Sequence, residues 1–244
     1  MDLHCHLLPG VDDGPETLDQ SVAYARAAAA AGTTTIVATS HVELLDVSEL
    51  PDRVEEVRGA LETEGIELRV EVGGELKPLS IGDLDGDDLE IIAQGPPGAR
   101  WLLYEVPFEG VTSEFLAGAR ELRERGYGLL LAHPERSRDI LTGGLEALEP
   151  ELLEGAVIAA NVGPITARES VARHTAAVAI LQRGIVGVLA TDAHPPTRPY
   201  TLATGHSALV DLTGDDALAR RLTGLNAAML LRDGIPSGTG SPAR

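Results

Sequence analysis

Residue types that bind metal ions occur as closely spaced pairs near both ends of the sequence. His4 and His6 lie two positions apart, and Asp192 and His194 repeat that spacing late in the chain. Alternate residues of a β-strand point to the same face, so each pair can bind one cation between its two side chains. Cys5 would point into the core, and no arginine follows it closely enough to make a phosphate-binding loop for a thiol nucleophile.

Further residues of metal-binding type end or follow short apolar runs, or lie in the Asp12-Asp13-Gly14 turn. Glu105 lies inside the apolar run from Trp101 to Val106, where a charged carboxylate is costly unless it is paired or bound to a metal. The candidate set is too large for one zinc ion and indicates two or three cations. Its members are His4, His6, Asp13, His41, Glu75, Glu105, His133, Asp192 and His194.

The expected charge of this site favours an anionic substrate. Three divalent cations bring about +6, and the carboxylates of Asp13, Glu75, Glu105 and Asp192 return about −4. The site would therefore be positive inside an acidic protein and would attract phosphate. Water bound to a cation has a lowered pKa and can act as the nucleophile, so the residues predict metal-dependent hydrolysis of a phosphate ester.

Two arginines follow candidate ligands closely. Arg136 comes three residues after His133, and Arg198 comes four after His194. Each guanidinium can bind phosphate oxygens through two parallel N–H groups. Each can equally be a solvated loop arginine, and the spacing alone leaves both interpretations open.

The elements that must position these side chains are strands alternating with helices. Amphipathic or Ala-rich stretches at Glu16 to Ala31, Asp52 to Glu64, Ser113 to Arg125 and Ala167 to Arg183 predict helices. This alternation predicts an α/β fold with a mostly parallel sheet, closed into one regular or distorted barrel whose active site lies at the carboxyl ends of the strands. The predicted strands are Leu3 to His6, Thr34 to Thr39, Leu68 to Val72, Trp101 to Val106, Gly128 to Ala132, Ala156 to Asn161 and Ile185 to Thr191.

No linker interrupts these units, so residues 1–233 are predicted to form a single barrel domain. The last residues, 234–244, are rich in Gly, Ser and Pro and are predicted to form a flexible tail. Composition supports an aliphatic core, because hydrophobic residues make up 43% of the chain and aromatic residues only 3%.

Charge and cysteine content exclude several classes of function. The formal net charge of −19 repels a nucleic-acid backbone, so no nucleic-acid partner is expected. The single cysteine cannot form an intramolecular disulfide, which favours a reducing, cytoplasmic location. The sequence shows neither a signal-peptide pattern nor an apolar stretch of about 18 residues, so membrane insertion is not expected. The oligomeric state is not predicted.

With these residues in view, the chain resembles the polymerase and histidinol phosphatase (PHP) superfamily, and within it the bacterial capsule-biosynthesis tyrosine phosphatases of the CpsB type. The resemblance implies a distorted (β/α)7 TIM-like barrel that holds three divalent metal ions, most often manganese, with iron, zinc or magnesium as alternatives. It also implies hydrolysis of phosphotyrosine. The motifs that carry the resemblance are Asp2 to Gly14, Val37 to His41, Gly74-Glu75, Tyr104-Glu105, Ala132 to Arg136 and Thr191 to His194.

The resemblance also implies roles for individual residues. Arg136 and Arg198 would bind the substrate phosphate, and together with His41 they are assigned catalytic roles. Many relatives carry a second histidine where this chain has Val42, a change expected to affect the rim of the pocket. The implied ligand sets are His4, His6, Glu75 and Asp192 for the first metal, Glu75, Glu105 and His133 for the second, and Asp13, His41 and His194 for the third.

The leading hypothesis is a protein-tyrosine phosphatase whose partner is a phosphotyrosyl bacterial tyrosine kinase of exopolysaccharide or capsule biosynthesis, acting through metal-activated water. One alternative keeps the metals but takes a small phosphate ester such as histidinol phosphate or a nucleotide. Another is an amidohydrolase-like hydrolase, although Lys77, the only lysine, follows no predicted strand. A further alternative is a kinase-binding protein that no longer turns over. Substrate competition and phosphate release distinguish these hypotheses.

Overall fold

Parallel strands form two hydrogen-bonded sheets in the computed structural model, which describes residues 1–238. The first sheet has the order β1-β2-β3 and the second the order β4-β5-β6-β7-β8, and every pairing between named strands is parallel. The strands are β1 (Asp2–Cys5), β2 (Thr35–Ala38), β3 (Arg69–Val72), β4 (Glu75–Leu76), β5 (Trp101–Glu105), β6 (Gly128–Ala132), β7 (Val157–Asn161) and β8 (Val186–Ala190).

Two isolated β-bridges join the two sheets. His41, beyond β2, pairs with Glu75 at the start of β4, and Cys5 of β1 pairs with Ala193, beyond β8. The Glu75 amide donates to the Ser40 carbonyl at 3.0 Å, and the His6 amide donates to the Ala193 carbonyl at 3.0 Å. The strands thus follow one another around a distorted barrel, and the predicted α/β fold class is confirmed.

Each of the seven predicted strands overlaps an observed strand, but β4 was not predicted. Gly73 and Gly74 separate it from β3, and two residues are too few to show a hydrophobic period. A Cβ on Gly73 would lie 2.5 Å from Val37 Cγ1, and one on Gly74 would lie 2.6 Å from Val42 Cγ1. These glycines therefore allow close packing against neighbouring side chains. Lys77 directly follows β4, so its predicted position away from any strand was wrong.

The helices lie between and after the strands, and short 3-10 turns connect several of them. Turns of this kind occur at Val42–Leu44, Val47–Glu49, Pro78–Asp83, Pro134–Arg136 and Leu145–Leu148, and a π-helical turn covers Arg221–Leu225. The helices are α1 (Leu18–Ala30), α2 (Leu50–Thr63), α3 (Gly86–Ile92), α4 (Ser113–Glu124), α5 (Arg138–Leu141), α6 (Glu149–Leu153), α7 (Val162–Ile165), α8 (Val171–Gln182), α9 (Leu202–Thr213), α10 (Asp216–Arg220) and α11 (Asn226–Asp233).

Local capping signals explain where the helices begin. The side chains of Thr17, Thr112 and Thr201 accept hydrogen bonds from backbone amides in the first turns of α1, α4 and α9. The predicted helix at Ala167 to Arg183 begins only at α8, because Ala167 has a φ of 55° and Ser170 is the N-cap. The other three predicted helices correspond to α1, α2 and α4.

The strands divide their side chains between two apolar clusters. Trp101 and Leu103 of β5 belong to an inner cluster with residues of β1, β2, β6, β7 and β8. Leu102 and Tyr104, the alternate residues of β5, belong to a larger cluster that includes helix residues. Glu105 has the same strand parity as Trp101 and Leu103, so it continues the inner row to the carboxyl end of β5.

The packed part of the chain extends beyond the predicted domain boundary at residue 233. Ile235 is 2% exposed, belongs to the inner cluster, and donates its amide to the Ala99 carbonyl at 3.0 Å. Residues 239–244, the remainder of the predicted tail, lie outside the described residues. Among residues 1–238, no helix has the length and apolar character needed to cross a bilayer.

Candidate metal centre

All nine sequence-predicted ligands come together at the carboxyl ends of the strands. They form four overlapping groups, in each of which the candidate ligand atoms lie within 4.8 Å of one another. Most of these side chains are buried, whereas the Asp13 side chain is 63% exposed and marks the open side. The groups are His6, Asp13, His41 and His194; His4, His6 and Glu75; His4, His133 and Asp192; and His41, Glu75 and Glu105.

The most regular arrangement joins His4, His6, Glu75 and Asp192. His4 Nε2 and His6 Nε2 are 3.3 Å apart, and each lies 3.3 Å from Glu75 Oε2 and 3.4 Å from Asp192 Oδ1. Spacings of 3.3–3.4 Å are those of neighbouring nitrogen and oxygen ligands that each lie about 2.0 Å from one cation. The geometry therefore fits the first predicted ligand set.

Asp12 orients one histidine of this set. Its Oδ2 lies 2.7 Å from His6 Nδ1 and accepts the His41 amide at 3.1 Å. If His6 donates its Nδ1–H to Asp12, its Nε2 faces the ligand atoms of His4, Glu75 and Asp192. Burial opposes ionisation of Asp12, but the hydrogen bond from His6 lowers the pKa of this carboxyl to about 2. Because Nδ1 is occupied by Asp12, His6 is better placed to bind a cation with His4, Glu75 and Asp192 than with Asp13.

The group at the open side is centred on Asp13. Its Oδ1 lies 3.0 Å from His194 Nε2 and 3.7 Å from His41 Nε2. His194 Nδ1 lies 2.9 Å from the Asp192 carbonyl oxygen, to which it can donate while Nε2 faces Asp13. These three residues are the third predicted ligand set.

The residues of the second predicted ligand set fall into two different groups of neighbouring ligand atoms. Glu105 is grouped with Glu75 and His41, whereas His133 is grouped with His4 and Asp192. His133 is nevertheless in contact with Glu75, because its Nε2 lies 2.8 Å from Glu75 Oε1. Glu75 thus lies within 3.3 Å of four candidate histidines and is the residue best placed to bridge two cations; they are His4, His6, His41 and His133.

The backbone is in an unusual conformation at two of the candidate ligands. His133 has a φ of 35° and Asp192 a φ of 46°, in the left-handed region that residues with a Cβ seldom adopt. Backbone hydrogen bonds hold both positions, since the His133 amide donates to the Ala159 carbonyl and the Asp192 amide to the His4 carbonyl, each at 2.8 Å. Such strain is typical of functional sites, where the surrounding structure imposes it.

Burial favours the neutral form of several groups in the cluster. It lowers the pKa values of His41, His133 and His194, the last to about 4, so these imidazoles are neutral at pH 7 and free to act as ligands. Burial, together with the neighbouring charge of Glu75, raises the pKa of Glu105 to about 8. A nearby cation would relieve this penalty.

Polar atoms without partners also indicate that the cluster is built for cations. Within residues 1–238, Nδ1 of His4, His41 and His133 and Oε2 of Glu75 are buried without a hydrogen-bond partner. Buried polar atoms normally have partners because leaving them unpaired costs free energy. The donor set, its spacing and these unpaired atoms together fit divalent metal ions.

Both predicted phosphate-binding arginines lie next to the cluster. Arg136 Nη1 donates to Asp192 Oδ2 at 2.9 Å, and Arg198 Nη1 lies 3.6 Å from the same oxygen. The Arg136 guanidinium also stacks on Phe108, with Cζ 4.8 Å from the ring centroid. The arginine side chains are 12% and 26% exposed, so both can be reached from the open side.

The family model for capsular polysaccharide synthesis, CpsB/CapC, matches residues 1–232. The chain belongs to the CpsB/CapC family. It is 31% identical over 144 residues to the tyrosine-protein phosphatase YwqE of Bacillus subtilis strain 168, an alignment that covers 57% of this chain and 56% of YwqE. It is 25% identical over 209 residues to CapC of Staphylococcus aureus, covering 83% of this chain and 80% of CapC.

Solved structures agree with the family. A chain from the crystal structures of YwqE from Bacillus subtilis and CpsB from Streptococcus pneumoniae, described as metal-dependent tyrosine phosphatases, superposes with a TM-score of 0.79. The identity is 25%, and the match covers 100% of this chain and 99% of the other. An organophosphorus hydrolase variant from Deinococcus radiodurans matches with a TM-score of 0.58 at 16% identity, over 94% and 92% of the two chains, and shows the fold alone.

Sequence reasoning missed residues of this CpsB/CapC protein that position the candidate ligands. Asp12 precedes a predicted ligand but was not singled out, and Asn161, which donates to Asp192 Oδ2 at 2.8 Å, carried no signal beyond its place at the end of β7. Glu135 is fully buried and accepts a hydrogen bond from the Asn161 backbone amide at 2.7 Å. Burial raises the pKa of Glu135 to about 7.

Proposed function

We propose that this member of the CpsB/CapC family is a metal-dependent protein-tyrosine phosphatase. The observation that carries the proposal is the close spacing of the ligand atoms of His4, His6, Glu75 and Asp192, with two arginines directly beside them. Metal ligands and phosphate-binding groups on one open face suit hydrolysis of a phosphate monoester. The names of the relatives support tyrosine phosphate as the substrate.

The proposed cofactors are three divalent cations, with manganese favoured over iron, zinc and magnesium. His4, His6, Glu75 and Asp192 would hold the first, Glu75, Glu105 and His133 the second, and Asp13, His41 and His194 the third. Mixed histidine and carboxylate ligands accept all of these metals, so the preference for manganese rests on the family resemblance. When bound, the cations would supply Lewis acidity toward the phosphoryl oxygens and lower the pKa of water so that it can attack.

The side chains of the protein would bind and orient the ester. Arg136 and Arg198 present guanidinium N–H groups from the edge of the cluster, where they would bind two phosphoryl oxygens. Stacking on Phe108 limits the movement of Arg136. His41, with 15% of its side chain exposed, would contact the phosphoryl group from the open side.

The proposed protein substrate is the phosphotyrosyl segment of a bacterial tyrosine kinase of capsule or exopolysaccharide synthesis. The description of the family as capsular polysaccharide synthesis supports this choice. The proposal includes a cytoplasmic location, because Cys5, the only cysteine, is buried and free.

Purified protein should release phosphate from p-nitrophenyl phosphate and from a phosphotyrosyl peptide when manganese is present. Chelation should abolish this release, and added manganese should restore it. His6→Ala should lose the activity, whereas His206→Ala should keep it, because His206 lies away from the cluster and pairs with Asp216. Activity that survives both chelation and His6→Ala would refute the mechanism.

Substrate competition tests the identity of the ester. A phosphotyrosyl peptide should be turned over with a higher kcat/KM than histidinol phosphate or a nucleotide. If the small esters react as fast, the metal chemistry stands and the assignment as a protein phosphatase fails. Turnover of amide or lactone substrates without phosphate release would point instead to an amidohydrolase-like enzyme.

A further inference from the structure

A groove of about 840 Å³ opens directly beside the metal centre. Glu105 belongs both to this groove and to the ligand group with His41 and Glu75. A substrate whose phosphate reaches the metal centre would therefore extend its remaining atoms into the groove. The groove is formed mainly by the segments after β4 and after β5, together with Glu43 from the turn after β2.

The groove has an apolar surface that is exposed to solvent. Pro78, Leu79, Pro107 and Phe108 line it, and the Leu79 and Phe108 residues are 86% and 46% exposed. The Phe108 ring centroid lies 6.1 Å from that of His133. The apolar surface thus begins at the metal centre and at Arg136, where the ring of an aryl phosphate would lie. Large exposed apolar side chains beside such a site are typical of a binding surface.

The rim of the groove is strongly acidic. Glu43, Asp83, Glu109 and Glu114 line it, and Lys77 is the only cationic residue of the lining. Lys77 is paired with Glu43. Within residues 1–238, Asp83, Glu109 and Glu114 form no ion pair that would offset their charges. The groove therefore attracts positively charged groups and repels acidic ones.

We propose that this groove binds the residues that flank the phosphotyrosine of a protein substrate and selects basic over acidic flanking residues. The tyrosine ring would pack against Phe108, and the neighbouring residues would lie on Leu79 between the acidic side chains. Two observations select this occupant: the groove is continuous with the metal centre through Glu105, and its charge complements a basic segment. The inference rests on the proposed function, because it describes how the same site recognises its substrate.

The test uses three phosphotyrosyl peptides that differ only in carrying Lys, Ala or Glu on both sides of the phosphotyrosine. The intact protein with manganese should show the order Lys, Ala, Glu in kcat/KM, with roughly a tenfold ratio between the Lys and Glu peptides at low ionic strength. The ratio should shrink as salt is added, because the carboxylates act through exposed charges.

Charge-reversal variants test whether the acidic residues of the groove cause the preference for basic flanking residues. Asp83→Lys combined with Glu109→Lys should bring the Lys-to-Glu ratio to within about twofold of unity. The matched control combines Glu56→Lys with Asp211→Lys, which changes the net charge equally at exposed positions outside the groove lining. The control should keep the parental ratio. Equal loss in both double variants would refute a local role for the groove.

A second pair of variants tests the apolar surface. Leu79→Ser should lower kcat/KM for the Ala-flanked peptide by about fivefold. Leu153→Ser is the matched control, because Leu153 is 88% exposed on α6 and lies outside the groove lining. A dimer that forms with increasing concentration and is lost only in Leu79→Ser would overturn the inference, since the groove would then be a self-association surface.

Failure of this inference is separable from failure of the proposed function. If the unmodified protein releases no phosphate from p-nitrophenyl phosphate or from any of the peptides with manganese, the proposed function fails. If it hydrolyses p-nitrophenyl phosphate and all three peptides at equal kcat/KM, the phosphatase assignment stands and the selection by the groove is refuted.

Discussion

Asp12 Oδ2 lies 2.7 Å from His6 Nδ1, and this contact leaves His6 Nε2 facing His4, Glu75 and Asp192. The two adjacent aspartates therefore have different roles. Asp12 is withdrawn from solvent and orients a candidate ligand, His6, whereas Asp13 is 63% exposed and is itself a candidate ligand. Such outer contacts fix the ring orientation of a ligating histidine and increase its basicity.

Asp12→Asn is expected to weaken cation binding by roughly tenfold, because the carboxylate that orients His6 loses its charge. Manganese titration of the metal-free protein, followed by calorimetry, measures the change. Asp19→Asn, at an exposed position in the first turn of α1, is the control and should leave the affinity unchanged. Equal affinities for Asp12→Asn and the parent would show that His6 needs no such partner.

Removal of metal should destabilise the fold. The centre brings Glu75, Glu105 and Asp192 together in a buried cluster, and a cation that binds only the native state adds its binding free energy to stability. Adding manganese at about 100 times its Kd should raise the free energy of unfolding of the chelated protein by about 3 kcal/mol per site. Denaturant titration with and without manganese checks this.

The same titration on His6→Ala should show a much smaller dependence on manganese, whereas His206→Ala should behave as the parent does. A stability that does not respond to manganese in the parent protein would mean that the cluster does not bind it.

Arg136→Lys is expected to lower kcat/KM for p-nitrophenyl phosphate by about 10- to 100-fold. An ammonium group cannot reproduce the planar fork that contacts Asp192 and stacks on Phe108. Arg138→Lys, two positions further along and exposed, is the control and should have less than a twofold effect. Steady-state kinetics with manganese in excess measures kcat/KM for both variants. A similar loss of kcat/KM in Arg136→Lys and Arg138→Lys would argue against a specific role for Arg136.

Gly73→Ala is expected to destabilise the protein by about 1–3 kcal/mol, because the new methyl group would lie 2.5 Å from Val37 Cγ1. Gly59→Ala is the matched control, since nothing lies within 4 Å of its added Cβ in helix α2. That control should be neutral or stabilise by up to about 1 kcal/mol. Thermal or urea unfolding of the metal-free variants measures the change in the free energy of unfolding for both substitutions. If Gly73→Ala leaves the stability unchanged, the strands at this point can move apart to accommodate the methyl group.

The local sequence determined much of this protein. Alternation of apolar runs with helical stretches was enough to predict the α/β fold, and the position of His, Asp and Glu at the ends of those runs was enough to predict which residues meet. Both follow from short-range rules, since strand parity decides which way His4 and His6 point, and parallel strands bring their carboxyl ends to one face.

Tertiary structure alone decided which ligand atoms share a site and what holds them there. The burial of Glu135, the contact between Asn161 and Asp192, and the left-handed backbone of His133 all depend on segments distant in sequence. No local pattern encodes such contacts, because they arise only when the strands close around the centre. The two-residue strand β4 was missed for the same reason: its pairing with β5, rather than any hydrophobic period of its own, makes it a strand.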